Sequence, residues 1–232
     1  TKASNKQVSS KQEYSRNSAK SSSLPDLRKY PSGTPRKKAF LRTVMPYITS
    51  QNAAITAERN WLISKQYQGQ WSPAERARLK DIAKRYKVKW SGNTRKIPWN
   101  TLLERVDIIP TSMVATMAAA ESGWGTSKLA RNNNNLFGMK CMKGRCTNAP
   151  GKVKGYSQFS SVKESVSAYV TNLNTHPAYS SFRKSRAQLR KADQEVTATA
   201  MIHKLKGYST KGKSYNNYLF AMYQDNQRLI AA

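Results

Sequence analysis

The sequence predicts a mainly α fold, a helical body with one short irregular, β-like lobe after its central helix. Three observations predict it. Apolar residues recur at helical spacing through most of the chain beyond residue 36. Several of those stretches open on capping signals. The one long stretch without periodicity, residues 132–156, is crowded with Asn, Gly and Lys, which make loops and at most a short, poorly stabilised hairpin.

Taken in order, residues 1–35 are rich in Ser, Lys, Asn and Gln and bury too little apolar surface to offset their ordering entropy. They read as a flexible tether, with a basic arm for a polyanion as the alternative. From Arg36 to Tyr67 the residues Phe40, Val44, Tyr47, Ile48, Ile55, Trp61 and Leu62 keep a helical period, and Pro46 predicts a kink or break. Ser72-Pro73-Ala74-Glu75 is a capping box with proline at the first helical position, continued by Leu79, Ile82, Ala83 and Tyr86. A loop around Ser91–Asn93 leads to a short helix near Trp99–Val106. Pro110-Thr111 then opens an alanine-rich helix, Ser112–Glu121, which Gly123 terminates. Beyond the irregular stretch, Ser161-Val162-Lys163-Glu164 forms a second capping box, opening a helix through Val166, Tyr169, Val170 and Leu173. Helical segments follow at about Ala178–Arg190 and Glu195–Leu205. After a turn at Gly207–Lys213, an aromatic last helix covers Tyr215–Leu229. No internal repeat is evident, so 1–35 reads as a leader and 36–232 as a single domain with a helical extension at its start.

The formal net charge is +29, from 41 basic and 12 acidic residues. Residues 1–38 hold ten basic and two acidic residues, net +8, which leaves +21 on the remainder. A body this basic attracts an extended anionic polymer, and nucleic acid, anionic lipid and bacterial cell wall all qualify. Nucleic acid has charge alone in its favour, because no helix-turn-helix glycine, zinc spacing or aromatic RNA-binding motif is present. No apolar run approaches 18 residues, the length a membrane-spanning helix needs, and no signal peptide is visible. Cys141 and Cys146 are two cysteines without a helpfully spaced histidine, a poor zinc site. A short disulfide-closed loop is the better reading, with two reduced thiols as the alternative. No metal site and no cofactor are expected.

Glu121 stands out. The next acid is Glu164, and the 42 residues between them hold eight Lys or Arg and no Asp or Glu. The C-terminal end of a helix is the negative end of its dipole, so an ionised carboxylate is disfavoured there, and apolar surroundings disfavour it further. Those are the surroundings a general acid requires. Taken alone, an ordinary exposed glutamate in a last helical turn remains the simpler reading.

The residues around it carry a resemblance. Glu121-Ser122-Gly123-Trp124-Gly125, then Ser127-Lys128-Leu129-Ala130, then Asn134-Asn135-Leu136-Phe137-Gly138-Met139-Lys140 resemble the signature of the bacterial cell-wall glucosaminidases, glycoside hydrolase family 73, over about residues 98–230. The resemblance implies a lysozyme-like fold and an endo-β-N-acetylglucosaminidase that cuts the glycan strands of peptidoglycan. It implies a periplasmic, exported, monomeric enzyme with Glu121 as its catalytic acid. Asn135, Phe137 and Gly138 fall in the turn that shapes the cleft floor of that family, and Trp124, Tyr156 and Tyr215 are the sugar-contacting candidates. Tyr156 to Ser165 matches an aromatic-x-x-aromatic-x-S-x-x-E-S stretch in which Glu164 is the capping partner. Tyr208-Ser209-Thr210 matches a segment whose tyrosine faces the acid, although Lys211-Gly212 replaces the usual Asp-Pro.

Glycosidases commonly use two carboxylates, and the stretch where relatives place the second is acid-free here. Three readings remain. The 2-acetamido group of the substrate acts as the nucleophile with Tyr208 holding it, or a distant acid (Asp193, Glu195 or Asp225) enters the cleft, or catalysis is weak or lost. Lytic transglycosylase or muramidase-type cleavage and a non-catalytic peptidoglycan-binding role are the alternatives to the glucosaminidase.

Overall fold

The computed structural model describes residues 24–141, 146, 149–205 and 212–231. The protein is mainly α. Its helices are α1 (Thr34–Lys65), α2 (Pro73–Arg85), α3 (Trp99–Arg105), α4 (Thr111–Ser122), α5 (Lys128–Asn133), α6 (Val162–Thr175), α7 (Ser180–Lys191), α8 (Ala198–Met201) and α9 (Lys213–Ala231). Short 3-10 turns occupy Leu27–Lys29, Pro177–Tyr179 and Ile202–Lys204. Among the described residues, strand-like pairing is confined to one antiparallel bridge, Lys140 with Tyr156. The described residues of the β-like lobe are thus irregular apart from that bridge.

Pro46 does not end the first helix: α1 runs through it for 32 residues. A proline leaves the carbonyl four residues back without its donor. Here both Pro46 and Arg42 are exposed, so that carbonyl lies on the wet side of the helix, where water replaces the lost bond. Phe40, Leu41, Val44, Ile48, Ile55 and Leu62 remain buried along α1. The second capping signal opens α6: Ser161 Oγ accepts from Glu164 N at 3.1 Å as the pattern requires, and the carboxylate also reaches back to Ser160. It accepts from Ser160 N at 2.8 Å, and also from the Ser160 hydroxyl. The first box is as written in the sequence, with Ser72 and Glu75 reciprocally bonded at 3.1 and 3.0 Å.

The chain divides into two compact units. The first takes the residues up to 47 together with Ala118–Val166. Its core holds Leu27, Phe40, Val44, Ala118, Ala130, Leu136, Phe137, Phe159 and Val162. The second takes Ile48–Met117 and Ser167–Ala232. There Leu79, Ile82, Leu102, Ile109, Met113, Tyr169, Leu173 and Phe182 are buried.

Inside the second unit sits a charge cluster that the sequence reading passed over. Asp107, fully buried, accepts two hydrogen bonds from Arg190 at 2.9 and 2.7 Å. Arg59 and Arg186 stand 3.5 and 3.9 Å from its carboxylate. Burial pushes the Asp107 carboxyl up, but the Arg190 bonds and the charges of Arg186 and Arg59 outweigh it and hold it below the ordinary range. Burial also pushes the Arg186 guanidinium down to about 10. Arg186 further donates to the carbonyls of Glu104, Asp107 and Ile108, so the cluster ties α7 to the segment leaving α3.

Candidate active site

Helix α4 is built from Met, Val, Thr and Ala, and Met113 to Ala119 are all buried. A helix so apolar is fixed by its packing rather than by surface charges. It ends in a run of three left-handed residues, Gly123, Trp124 and Gly125, with φ of 55°, 56° and 80°. The reversal satisfies the last orphan carbonyls: Trp124 N donates to Ala119 O at 3.0 Å and Ser127 N to Ser122 O at 3.0 Å. Ser122 locks the turn from inside. Its hydroxyl donates to Ala118 O at 2.6 Å and accepts from Gly125 N at 2.9 Å.

Glu121 lies half-buried in the last turn of α4. Against its carboxylate comes the backbone of Gly138, at φ 66°. A Cβ on that residue would sit 3.0 Å from Glu121 Oε2. Only glycine both takes that φ without strain and leaves the carboxylate its space.

The turn that carries Gly138 is held by asparagines. Asn135, 1% exposed, donates through Nδ2 to Met139 O and Ser157 O at 2.9 and 3.0 Å. Its Oδ1 accepts from Phe137 N and Met139 N at 3.3 and 3.1 Å. All four bonds of that amide are spent inside the lobe. Asn133 does the same for the neighbouring strip, donating to Val153 O and accepting from Val153 N, and Asn134 donates to Phe159 O. Ser165 at the start of α6 accepts from Leu136 N at 3.2 Å. The Cys141–Cys146 disulfide lies just after this turn, its Cα atoms 5.2 Å apart.

The other predicted residues fall as follows. Phe137 is buried beneath the turn. Tyr156 is half-buried in the bridge to Lys140. Trp124 is half-buried, its ring edge-on to Phe40 at 5.6 Å and 83°, with the Lys37 ammonium 5.1 Å from the ring centre. The structure thus gathers Glu121, Trp124, Asn135, Phe137, Gly138 and Tyr156 into the first unit. Tyr215 belongs to the second, half-buried on α9 with its ring 6.5 Å from that of Tyr218. Tyr208 lies outside the described residues. Asp193, Glu195 and Asp225 are exposed in the second unit.

Besides Glu121, the acids of the first unit among the described residues are Asp26 and Glu164. Asp26 is paired with Arg28 at 2.9 Å, and Glu164 caps α6. Sequence reasoning missed the roles of Asn133, Ser157 and Ser165. The four-asparagine run was the signal that could have found the first, since such a run supplies side-chain bonds to a backbone that has no ladder.

A helical scaffold thus carries a carboxylate at the end of a central helix, with an irregular lobe laid against it. The glucosaminidase family model, described as mannosyl-glycoprotein endo-beta-N-acetylglucosaminidase, matches residues 98–228, more than half of the 232 residues, and the chain belongs to that family. It is an enzyme acting on β-N-acetylglucosamine linkages, and its substrate is a glycan. No solved structure matches the chain. No described helix is long and apolar enough to cross a membrane.

Proposed function

We propose that the protein is a peptidoglycan endo-β-N-acetylglucosaminidase of glycoside hydrolase family 73, with Glu121 as its general acid. One observation carries this reading. Within the family-matched region, the Glu121 carboxylate at the end of α4 lies against a glycine turn that leaves it room. The Ser/Lys-rich leader and helical preamble make the whole chain similar to the Gram-negative protein called Bax, which supports a periplasmic site of action. The disulfide fits an oxidising compartment. Peptidoglycan carries carboxylates on its lactyl and peptide groups, and a chain of net charge +29 attracts them.

In the proposed mechanism Glu121 gives its proton to the oxygen of the leaving sugar as the glycosidic bond breaks. The carbonyl oxygen of the substrate's own 2-acetamido group forms the new bond to the anomeric carbon. Water then opens that ring, losing its proton back to Glu121, so acid and base are the same residue in turn. Tyr208 holds the acetamido group through its hydroxyl. The turn of Asn135, Phe137 and Gly138 forms the floor beside the acid, and Trp124, Tyr156 and Tyr215 contact the sugars. The enzyme works as a monomer without a cofactor.

Muropeptide release by the wild type and by Glu121→Gln tests this reading. The substitution keeps the shape and removes the transferable proton, so cleavage falls by ~10²–10⁴-fold while binding to purified cell wall persists. Wild-type turnover by Glu121→Gln refutes the assignment. An anhydro-muramyl end group in the product mass spectrum refutes the bond assignment in favour of lytic transglycosylase cleavage.

A further inference from the structure

The family match begins at residue 98, yet the residues up to 47 share a compact unit with the turn that follows Glu121. Their contacts with that turn are specific. Trp124 is a bulky residue at φ 56°, a conformation that persists only where the surroundings over-determine it. Two of those surroundings come from the start of α1: the Phe40 ring packed edge-on at 5.6 Å, and the Lys37 ammonium 5.1 Å from the indole centre. The next residue, Gly125, has no space for a side chain, because Leu27 and Phe40 occupy the place where its Cβ would stand. Leu27 is itself pinned. Its carbonyl accepts from Arg36 Nε at 3.1 Å, and Asp26 caps the short turn it begins.

We infer that residues 27–40 are a positioning element of the active site, in which Phe40 and Lys37 act through Trp124 on the turn that ends the Glu121 helix. The inference rests on the reading of Glu121 as the acid. Trp124 is the third residue after Glu121, and Trp124 N closes onto Ala119 O within the same last turn of α4. Any relaxation of the left-handed run therefore re-aims the carboxylate relative to the Gly138 turn. A glucosaminidase domain cut at its family boundary lacks the part that holds its acid in register.

A double-mutant cycle on the full chain tests this, with purified peptidoglycan as substrate and kcat and KM measured separately. Phe40→Leu keeps an apolar side chain but loses the ring edge; Lys37→Met keeps the stem and loses the charge. Each lowers kcat, by ~10- to 100-fold for the first, with little change in KM. In a Trp124→Phe background the same substitutions cost less than about twofold more, because the residue they act through is already gone. A role in packing alone lowers the unfolding midpoint but leaves kcat of the folded fraction unchanged. Wild-type kcat in both single variants, or losses that multiply with Trp124→Phe, overturns the inference. If Phe40→Leu does not fold, the cycle between Lys37→Met and Trp124→Phe, both at half-buried positions, decides alone. Glu121→Gln in the same assay separates the two readings. Retained activity there refutes the acid; abolished activity with a multiplicative cycle refutes the positioning element only.

Discussion

Gly138→Ala is the sharpest probe of the site, because its effect follows from one backbone angle and one distance. At φ 66° an alanine sits in the left-handed region, which costs an L-residue about 1–2 kcal/mol. Its Cβ also stands 3.0 Å from Glu121 Oε2, inside ordinary van der Waals contact, so one partner must retreat by a few tenths of an ångström. The backbone of the turn cannot retreat. Asn135 holds it through Met139 O, Met139 N, Phe137 N and Ser157 O, and Ser165 holds Leu136 N. The carboxylate is the end of a flexible side chain and yields instead. A stability loss of about 1–2 kcal/mol by urea unfolding is expected. It should come with a fall in kcat of ~10- to 100-fold, since small misplacements of a catalytic group cost that much. The two readouts separate strain from chemistry. A folded Gly138→Ala protein with wild-type kcat refutes the placement of Glu121 in the reaction.

Replacing Asp107 by Asn leaves Arg186 buried without its counter-charge and costs about 3–5 kcal/mol, measured by chemical unfolding at pH 7. The same carboxyl is held below its ordinary value in the fold. Its stabilisation is therefore complete above about pH 4 and disappears as pH falls through the lowered folded value. The wild type should lose stability on that descent by more than Asp107→Asn does, and equal acid sensitivity refutes the cluster's role. Asn135→Ala removes the acceptor of the Phe137 and Met139 amides and one of the donors to the Met139 and Ser157 carbonyls in a buried turn, and destabilises by about 1–3 kcal/mol, read as a lowered unfolding midpoint. Free-thiol titration of native protein should find Cys141 and Cys146 unreactive, and two reactive thiols contradict the bridge.

Helices with a periodic buried face were legible in the sequence because periodicity is what the burial of one face imposes on a chain. The helix near Trp99–Val106 is observed as Trp99–Arg105, and the alanine-rich helix as Thr111–Ser122. The box at Ser72 was legible because both halves of it are local. Pro46 does not end α1 because its cost depends on which side of the helix loses a hydrogen bond, and that side is set by tertiary burial. The lobe around Gly138 was unreadable as structure. Its order comes from side-chain bonds of Asn133, Asn134 and Asn135 to backbone 20 to 25 residues away or within the turn itself, and such bonds leave no period. Asp107 did leave a trace, an acid set in the apolar run Val106-Asp107-Ile108-Ile109, with arginines at helical spacing in α7. Glu121 was readable by its isolation; its glycine neighbour was readable only through the family motif.

Partners sort the acids of this protein by what each can do. A carboxylate locked to a cation cannot exchange protons near neutral pH. The hydrogen bond from Arg28 holds Asp26 down at about 2, and the bond from Lys65 does the same for Glu75. Asp107 is wrapped by three arginines, and Glu164 is spent on the start of α6. In the first unit Glu121 is set against the backbone of the Gly138 turn. On the proposed reading Glu121 is the acid, and the nucleophile comes from another group. Asp193, Glu195 and Asp225 are exposed acids of the second unit, and every N-acetylglucosamine residue brings an acetamido oxygen with it. The substrate-assisted route proposed above draws on that oxygen. Its signature is chemical: de-N-acetylated glycan should bind and not be cut, and normal cleavage of that polymer returns the search to those three acids.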